Sequence, residues 1–186
     1  MHLRLERWAS PVSPLLLVTD GDGVLRALDF AECEPRMRRL LRDHYGDVAI
    51  TEGKSPRPLT ESLEAYFAGD LDALGSLETA TSGTPFRRQV WQALRAIPAG
   101  TTQSYGQLAA RIGRPTASRA VGSANGANPI AIVVPCHRVI GANGTLTGYA
   151  GGLHHKTWLL RHETQYASLT AARSPASALE PTRGCD

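Results

Sequence analysis

The sequence predicts an α+β fold, with a small N-terminal antiparallel sheet and helices followed by a mostly helical half built around a helix-turn-helix. Three observations predict it. Alternating apolar residues and tight-turn signals crowd the first 30 positions, segments of helical spacing bounded by caps and stops fill most of the remainder, and a Gly-containing turn joins two short helices near Gly113. With 186 residues, 42% of them hydrophobic, the chain can bury a core sufficient for one domain or two small ones.

Residues 2–8 and 14–19 alternate as strands around the turn Ser10-Pro11-Val12-Ser13-Pro14, and Asp20-Gly21-Asp22-Gly23 turns the chain into a third strand over Val24–Phe30. Glu34–Tyr45 and Thr60–Ala68 have helical spacing, with Gly46 and Gly69 as C-terminal stops. Between them, Thr51–Pro58 reads as a loop or linker. Thr84 caps a helix with Pro85 at its first position and Phe86, Val90, Trp91 and Leu94 on one face, ended by Pro98 and Gly100. Ser104 and Gln107 have capping-box spacing, and Leu108, Ala109 and Ile112 supply a buried stripe before Gly113. A second short helix over Thr116–Ala124 follows the Arg114-Pro115 turn and completes the helix-turn-helix. Ile130–Val134 reads as a buried strand ending at Pro135, Gly141–Gly152 as a glycine-rich loop, and His155–Glu163 as a closing helix. The segment after Glu163, rich in Ala, Ser, Pro and Thr, reads as disordered.

Charge is segregated along the chain. Residues 1–83 carry 9 Lys+Arg against 14 Asp+Glu, a net −5, whereas residues 84–163 carry 9 against Glu163 alone, a net +8. A half so basic suits a polyanion, because each neutralised phosphate adds affinity through counterion release. No apolar stretch approaches the roughly 20 residues of a membrane span, and no secretory signal precedes the first strand, so the expectation is a cytoplasmic protein with no membrane partner. The three cysteines, Cys33, Cys136 and Cys185, have no close pairing and no zinc-ligand spacing. Neither a disulfide framework nor a bound metal is expected; Cys33 reads as a buried or neutral residue and Cys185 as a tail thiol.

The run Pro135-Cys136-His137-Arg138-Val139 concentrates the chemistry. A free thiol, with a pKa of about 8.5, is mostly protonated at neutral pH and needs a neighbour that takes its proton. His137 is the nearest one. The alternative for an isolated pair is a small buried Cys with His137 pointing elsewhere.

The wider segment Asn128-Pro129-Ile130-Ala131-Ile132-Val133-Val134-Pro135-Cys136-His137-Arg138-Val139-Ile140-Gly141 resembles the active-site region of the O6-alkylguanine-DNA alkyltransferases. Gly148-Tyr149-Ala150-Gly151-Gly152-Leu153 and Lys156-Thr157-Trp158-Leu159-Leu160-Arg161-His162-Glu163 are similar to the family's glycine loop and closing helix. Upstream, Pro85-Phe86, Val90-Trp91, Ile97-Pro98-Ala99-Gly100, Ser104-Tyr105-Gly106 and Ser118-Arg119-Ala120-Val121-Gly122 fall in the family's order. The likeness is strong over residues 84–163; before that it extends only to layout.

The resemblance implies an N-terminal α/β, ribonuclease-H-like domain over 1–80, a winged-helix-like DNA-binding and alkyl-acceptor domain over 81–165, and a disordered tail over 166–186. It implies single-turnover repair, in which the alkyl group on O6 of guanine in double-stranded DNA passes irreversibly to Cys136, with no cofactor and with a monomeric protein. In that scheme Glu163 polarises His137, which deprotonates Cys136 through a bridging water; Asn128 braces the Cys136 turn, and Tyr105 assists the leaving guanine near N3. Arg119 is the finger that replaces the flipped base, approaching from the minor groove on a small-residue helix. Thr116, Ala117, Ser118, Ala120, Gly122, Ser123 and Arg138 complete the implied DNA contacts. Val139, Tyr149, Ala150 and Gly151 form the implied base pocket; some members have Ser at the position of Ala150. Some members also carry a structural zinc in the N-terminal part, whose ligand set is not recognisable here.

Two other readings stay open at this level. A non-catalytic alkylated-DNA-binding relative or a helix-turn-helix regulator explains the basic half but not the Cys136-His137 pair, and a cysteine hydrolase explains Cys, His and Glu but not the charge segregation. Activity on O4-alkylthymine and the preference for adduct size are not legible in the residues.

Overall fold

Strand β2 (Leu15–Thr19) is buried at every position because both faces of its sheet are covered. Side-chain alternation sends Leu15 and Leu17 into a large core shared with the C-terminal helices, and Leu16 and Val18 into a smaller one under helix α1 (Glu34–Tyr45), with Met37 and Leu41. The structure, a computed structural model, describes residues 1–173.

β2 pairs antiparallel with β1 (His2–Trp8) on one side and β3 (Leu25–Phe30) on the other. The sheet is nevertheless mixed rather than antiparallel. A fourth strand, β4 (Ala49–Glu52), joins β1 in parallel, giving the order β3-β2-β1-β4. It cuts into the stretch expected as loop from Thr51. Only four residues long and mostly exposed, this edge strand carries little apolar patterning, and its ladder with β1 rather than its composition holds it. Helix α1 supplies the crossover that a parallel neighbour requires.

Helix α2 (Arg57–Phe67) begins earlier than the predicted Thr60, because Pro58 lies in its first turn, where the absent N–H has no helical partner to lose. Helix α3 (Pro85–Arg95) starts as expected, with the Thr84 hydroxyl accepting from the Arg87 amide. The capping box of Ser104 and Gln107 opens α4 (Tyr105–Arg111), and α5 (Ser118–Gly126) completes the helix-turn-helix. Two-residue strands β5 (Gln103–Ser104) and β6 (Val139–Ile140) pair in parallel beside it.

The last helix, α6 (Leu153–Arg173), overruns both the predicted closing helix and the start of the predicted tail. Hydroxyls that favour disorder by composition bond back along the helix here: Thr164 to the Leu160 carbonyl, Ser168 to that of Thr164, Thr170 to that of Tyr166. Tyr166 also packs near His162, with ring centroids 4.9 Å apart. The rest of the expected tail, including Cys185, lies outside the described residues.

Val90, Trp91, Leu94, Leu108, Val121 and Leu159 share one apolar core with Leu15, Leu17, Leu25, Leu28 and Phe30 of the sheet. Each such side chain contributes about 1.5–3 kcal/mol on full burial, so this core ties the basic half to the sheet. The Trp91 indole N–H donates to the Ala124 carbonyl, fixing α3 against α5. No helix among the described residues is long and apolar enough to cross a membrane.

Candidate active site

The apolar run Ile130–Val134 is buried but does not form the expected strand. Val133 N–H donates to the Ala131 carbonyl at 2.7 Å and Cys136 N–H to the Val134 carbonyl at 2.8 Å, so the chain makes two successive three-residue turns. Ile132, at the centre of the first, has φ of 67°, alone among the described non-glycine residues in the left-handed region. A β-branched residue there costs about 1–3 kcal/mol and persists only where its surroundings over-determine it. Asn128 does much of that. Its Nδ2 donates to the carbonyls of Ile130 and Val134, and its Oδ1 accepts from the Ile130 amide. Outside the turn, Ala131 N–H and the Pro129 carbonyl bond to Leu28 of β3.

This turn delivers Cys136 to the start of a short 3-10 turn, Cys136–Arg138. The residue is only 6% exposed, and its sulfur accepts from Asn128 Nδ2 at 3.1 Å. Burial pushes the thiol pKa up, and the Asn128 hydrogen bond opposes that rise. The resting thiol is therefore neutral at physiological pH.

His137 is fully buried, and its Nε2 lies 2.8 Å from Glu163 Oε1. Burial lowers the imidazole pKa against the pull of Glu163, favouring the neutral ring. Burial alone would raise the Glu163 pKa, but His137 and Arg138 outweigh it and hold the carboxyl well below its usual range. An ionised carboxylate only accepts, so Nε2 carries the hydrogen and Nδ1 is the basic nitrogen. Nδ1 is buried and bonds to no protein group.

Arg138 leaves the expected DNA-facing set. Its guanidinium is buried, with Nε at 3.0 Å from Glu163 Oε2 and Nη2 at 2.9 Å from Oε1, and Nη1 donates to the Ile97 carbonyl. A bidentate partner inside the protein satisfies its charge, so it cannot reach a phosphate. Tyr66 from α2 adds a hydrogen bond to Glu163 Oε1, and the Gly100 amide one to Oε2.

Tyr105 is half-buried at the start of α4; burial raises its phenol pKa, and a hydrogen bond with Thr147 opposes that rise. Arg119, Thr116, Ala120 and Ser123 are exposed on or beside α5, while Ala117, Ser118 and Gly122 are partly covered. Of the residues expected to line the base pocket, Val139 and Gly151 are buried, Tyr149 is half-buried and Ala150 exposed. A Cβ at Gly151 would meet the Phe30 and Tyr149 rings at 2.8 Å, so only glycine lets the loop close on both.

Four residues near the thiol carry no sequence signal for the place they take. Lys156 is buried, and its ammonium donates to the carbonyls of Val139 at 2.6 Å and Thr147 at 3.1 Å, clamping the glycine-rich loop to the thiol turn. Asn125 Nδ2 donates to the Cys136 carbonyl. Arg36 donates to the Gly126 and Asn128 carbonyls and pairs with buried Asp29. Tyr66, the fourth, reads in the sequence only as a helix residue. A buried ammonium or guanidinium is rare enough that its partners become visible only in three dimensions.

The arrangement offers a buried thiol, a neutral imidazole held by an ionised carboxylate, and a basic helix beside them. Residues 85–165 match the family model described as 6-O-methylguanine DNA methyltransferase, DNA binding domain. A methylated-DNA-protein-cysteine methyltransferase of Salmonella typhimurium is 56% identical over 165 residues, covering 88% of this chain and 96% of that protein. One of Methanosarcina acetivorans is 47% identical over 154 residues, covering 83% and 94%. The crystal structure of Mycobacterium tuberculosis OGT in complex with DNA superposes with a TM-score of 0.72 at 43% identity, covering 91% of this chain and 98% of that one.

Proposed function

The chain belongs to the methylated-DNA-protein-cysteine methyltransferase family, and on that premise we propose that it repairs DNA by moving the alkyl group from O6 of guanine onto Cys136. The observation that carries the assignment of the acceptor is the bond from Asn128 Nδ2 to the Cys136 sulfur beside the His137-Glu163 pair.

The Cys136 proton passes to Nδ1 of His137 through a bridging water, leaving a thiolate that Asn128 stabilises. Sulfur attacks the alkyl carbon, the S–C bond forms and the C–O6 bond breaks, and the electron pair stays with the guanine. Tyr105 supplies a hydrogen bond or a proton at N3 to that leaving base. Glu163 stabilises the imidazolium that results; Arg138 and Tyr66 keep the carboxylate ionised and fixed in place. A thioether has no route back to the thiol, so each chain acts once.

A stacked base cannot present O6 to the sulfur of a buried cysteine, so the base must leave the duplex, at a cost of a few kcal/mol. Exposed Arg119 fills the gap, and the small residues Ala117, Ser118, Ala120, Gly122 and Ser123, with Thr116, let α5 approach the minor groove. Val139, Tyr149, Ala150 and Gly151 receive the base. Residues 1–80 then act as support, reaching Glu163 through Tyr66, while 81–165 carry the DNA face and the acceptor. A thiol that must stay reduced suits the cytoplasm.

Base analysis of a duplex carrying one O6-methylguanine tests the reading. Guanine should be restored in an amount equal to the protein added and no more. Continued turnover, or binding without restoration, would reject it.

A further inference from the structure

Glu32, His154 and His155 converge where the N-terminal sheet meets the loop beside Cys136, and alkyl transfer uses none of them. Nε2 of His155 lies 3.0 Å, and Nε2 of His154 3.8 Å, from the same Oε1 of Glu32. The three residues each bring a ligand atom within 4.8 Å of the others.

His155 is held as a ligand would be. It is 2% exposed, its Nδ1 is bonded to the Gly151 carbonyl, and its ring lies flat on Phe30, with centroids 3.8 Å and planes 3° apart. Because a carbonyl only accepts, Nδ1 carries the hydrogen, and in the neutral ring the Nε2 lone pair points at a carboxylate oxygen. Two acceptors at that distance need a cation between them. A second imidazole, His154, approaches the same oxygen.

We propose that Glu32, His154 and His155 form a divalent transition-metal site, suited to Zn²⁺, that ties the segment after β3 to the first turn of α6. Two imidazoles and a carboxylate are donors that zinc takes at about 2.0–2.2 Å; a tetrahedral set at that radius has its donors about 3.4 Å apart. The observed 3.0 and 3.8 Å bracket that separation. The bond from His155 Nδ1 to a backbone carbonyl is the outer contact that fixes a ligating ring. Gly152 makes room for the pair: its φ is 94°, and a Cβ there would meet His154 Cε1 at 2.8 Å. Glu32 and His154 are 47% and 72% exposed at their side chains, so a fourth position is open to water. Through Gly151, the ion would stiffen the loop that packs Tyr149 beside the thiol. This revises the expectation of no metal, which rested on cysteine spacing; Glu32 lies far from the His154-His155 pair in sequence, and no motif joins them.

Metal-stripped full-length protein titrated with Zn²⁺ against a chromophoric chelator tests the site, with Co²⁺ absorption reporting the ligands. The expected result is one ion per chain, a cobalt spectrum without thiolate charge-transfer bands, and unchanged affinity in Cys33→Ser and Cys136→Ala. Glu32→Gln and His154→Gln alter exposed side chains and should each weaken binding by at least about tenfold, the scale on which even outer partners act. Absence of stoichiometric binding, thiolate bands, or affinity unchanged in both Glu32→Gln and His154→Gln would overturn the proposal, leaving a proton as the cation between Glu32 and His155. None of these readouts depends on alkyl transfer, so the site stands or falls apart from the assignment of Cys136.

Discussion

Tyr66 donates its phenolic hydrogen to Oε1 of Glu163 at 2.9 Å, the same oxygen that receives His137. The N-terminal half thus reaches directly into the relay that serves the thiol. Tyr66 is fully buried, and burial followed by the charge of Glu163 raises its pKa well above the phenol value, so it stays a donor throughout the working pH range.

Tyr66→Phe removes that donor while Arg138, His137 and Gly100 still satisfy the carboxylate. Stability should fall by about 1 kcal/mol in denaturant titration, and single-turnover transfer should slow by less than about tenfold. A loss as large as that of His137→Phe would show that Tyr66 does more than support Glu163.

Asn128→Ala strips the turn of its brace and the sulfur of its donor at once. Transfer should slow by about 100-fold or more, with about 3 kcal/mol lost in stability, since several buried backbone groups lose their partner. Rapid-quench transfer rates, measured where circular dichroism shows the variant folded, separate the two effects.

Arg119 and Arg138 should part company. Arg119→Ala should weaken binding to duplex DNA and slow transfer from the duplex while sparing transfer from a free O6-alkylguanine base. Arg138→Ala should cost about 3–5 kcal/mol in stability by leaving Glu163 buried without its bidentate partner. At temperatures where both variants are folded, only Arg119→Ala should change the DNA affinity.

The pH profile follows from the groups around the thiol. The reaction needs neutral His137, whose pKa lies below its ordinary 6.5, so transfer should persist below pH 6.5 before it falls. His137 and Glu163 both bind protons less readily in the folded state. Their stabilisation is complete above 6.5, declines as pH falls below that value, and declines further below 4.5, the ordinary carboxyl value. Cys136 is shifted the other way, so its share is lost as pH rises through the ordinary thiol range of about 8.5 to 9.0, where the unfolded thiol ionises first. Melting temperatures across this range in wild type and His137→Gln check both signs; an acidic limb unchanged by His137→Gln would contradict the assignment.

Local rules made much of this legible. The Thr84 and Ser104 caps, the stripe of Val90, Trp91 and Leu94, and the three N-terminal strands are each set by residues a few positions apart, and the structure has them in place. Ile130–Val134 misled because an unbroken apolar run signals burial without stating what bonds its peptides; Asn128 and internal turns do so here. Arg138 stood among the implied DNA contacts because its partner, Glu163, is 25 positions away and the pairing is invisible in the sequence. Tyr66 and Lys156 were silent for the same reason, since a buried polar residue takes its role from partners that only the fold assembles.

Intact-protein mass after incubation with a short duplex containing one O6-methylguanine, beside Cys136→Ala, tests the central claim. Wild type should gain one methyl group, found by peptide mapping on Cys136, and Cys136→Ala should gain none. A methyl group on another residue, or wild type that binds the duplex with its mass unchanged, would contradict the account.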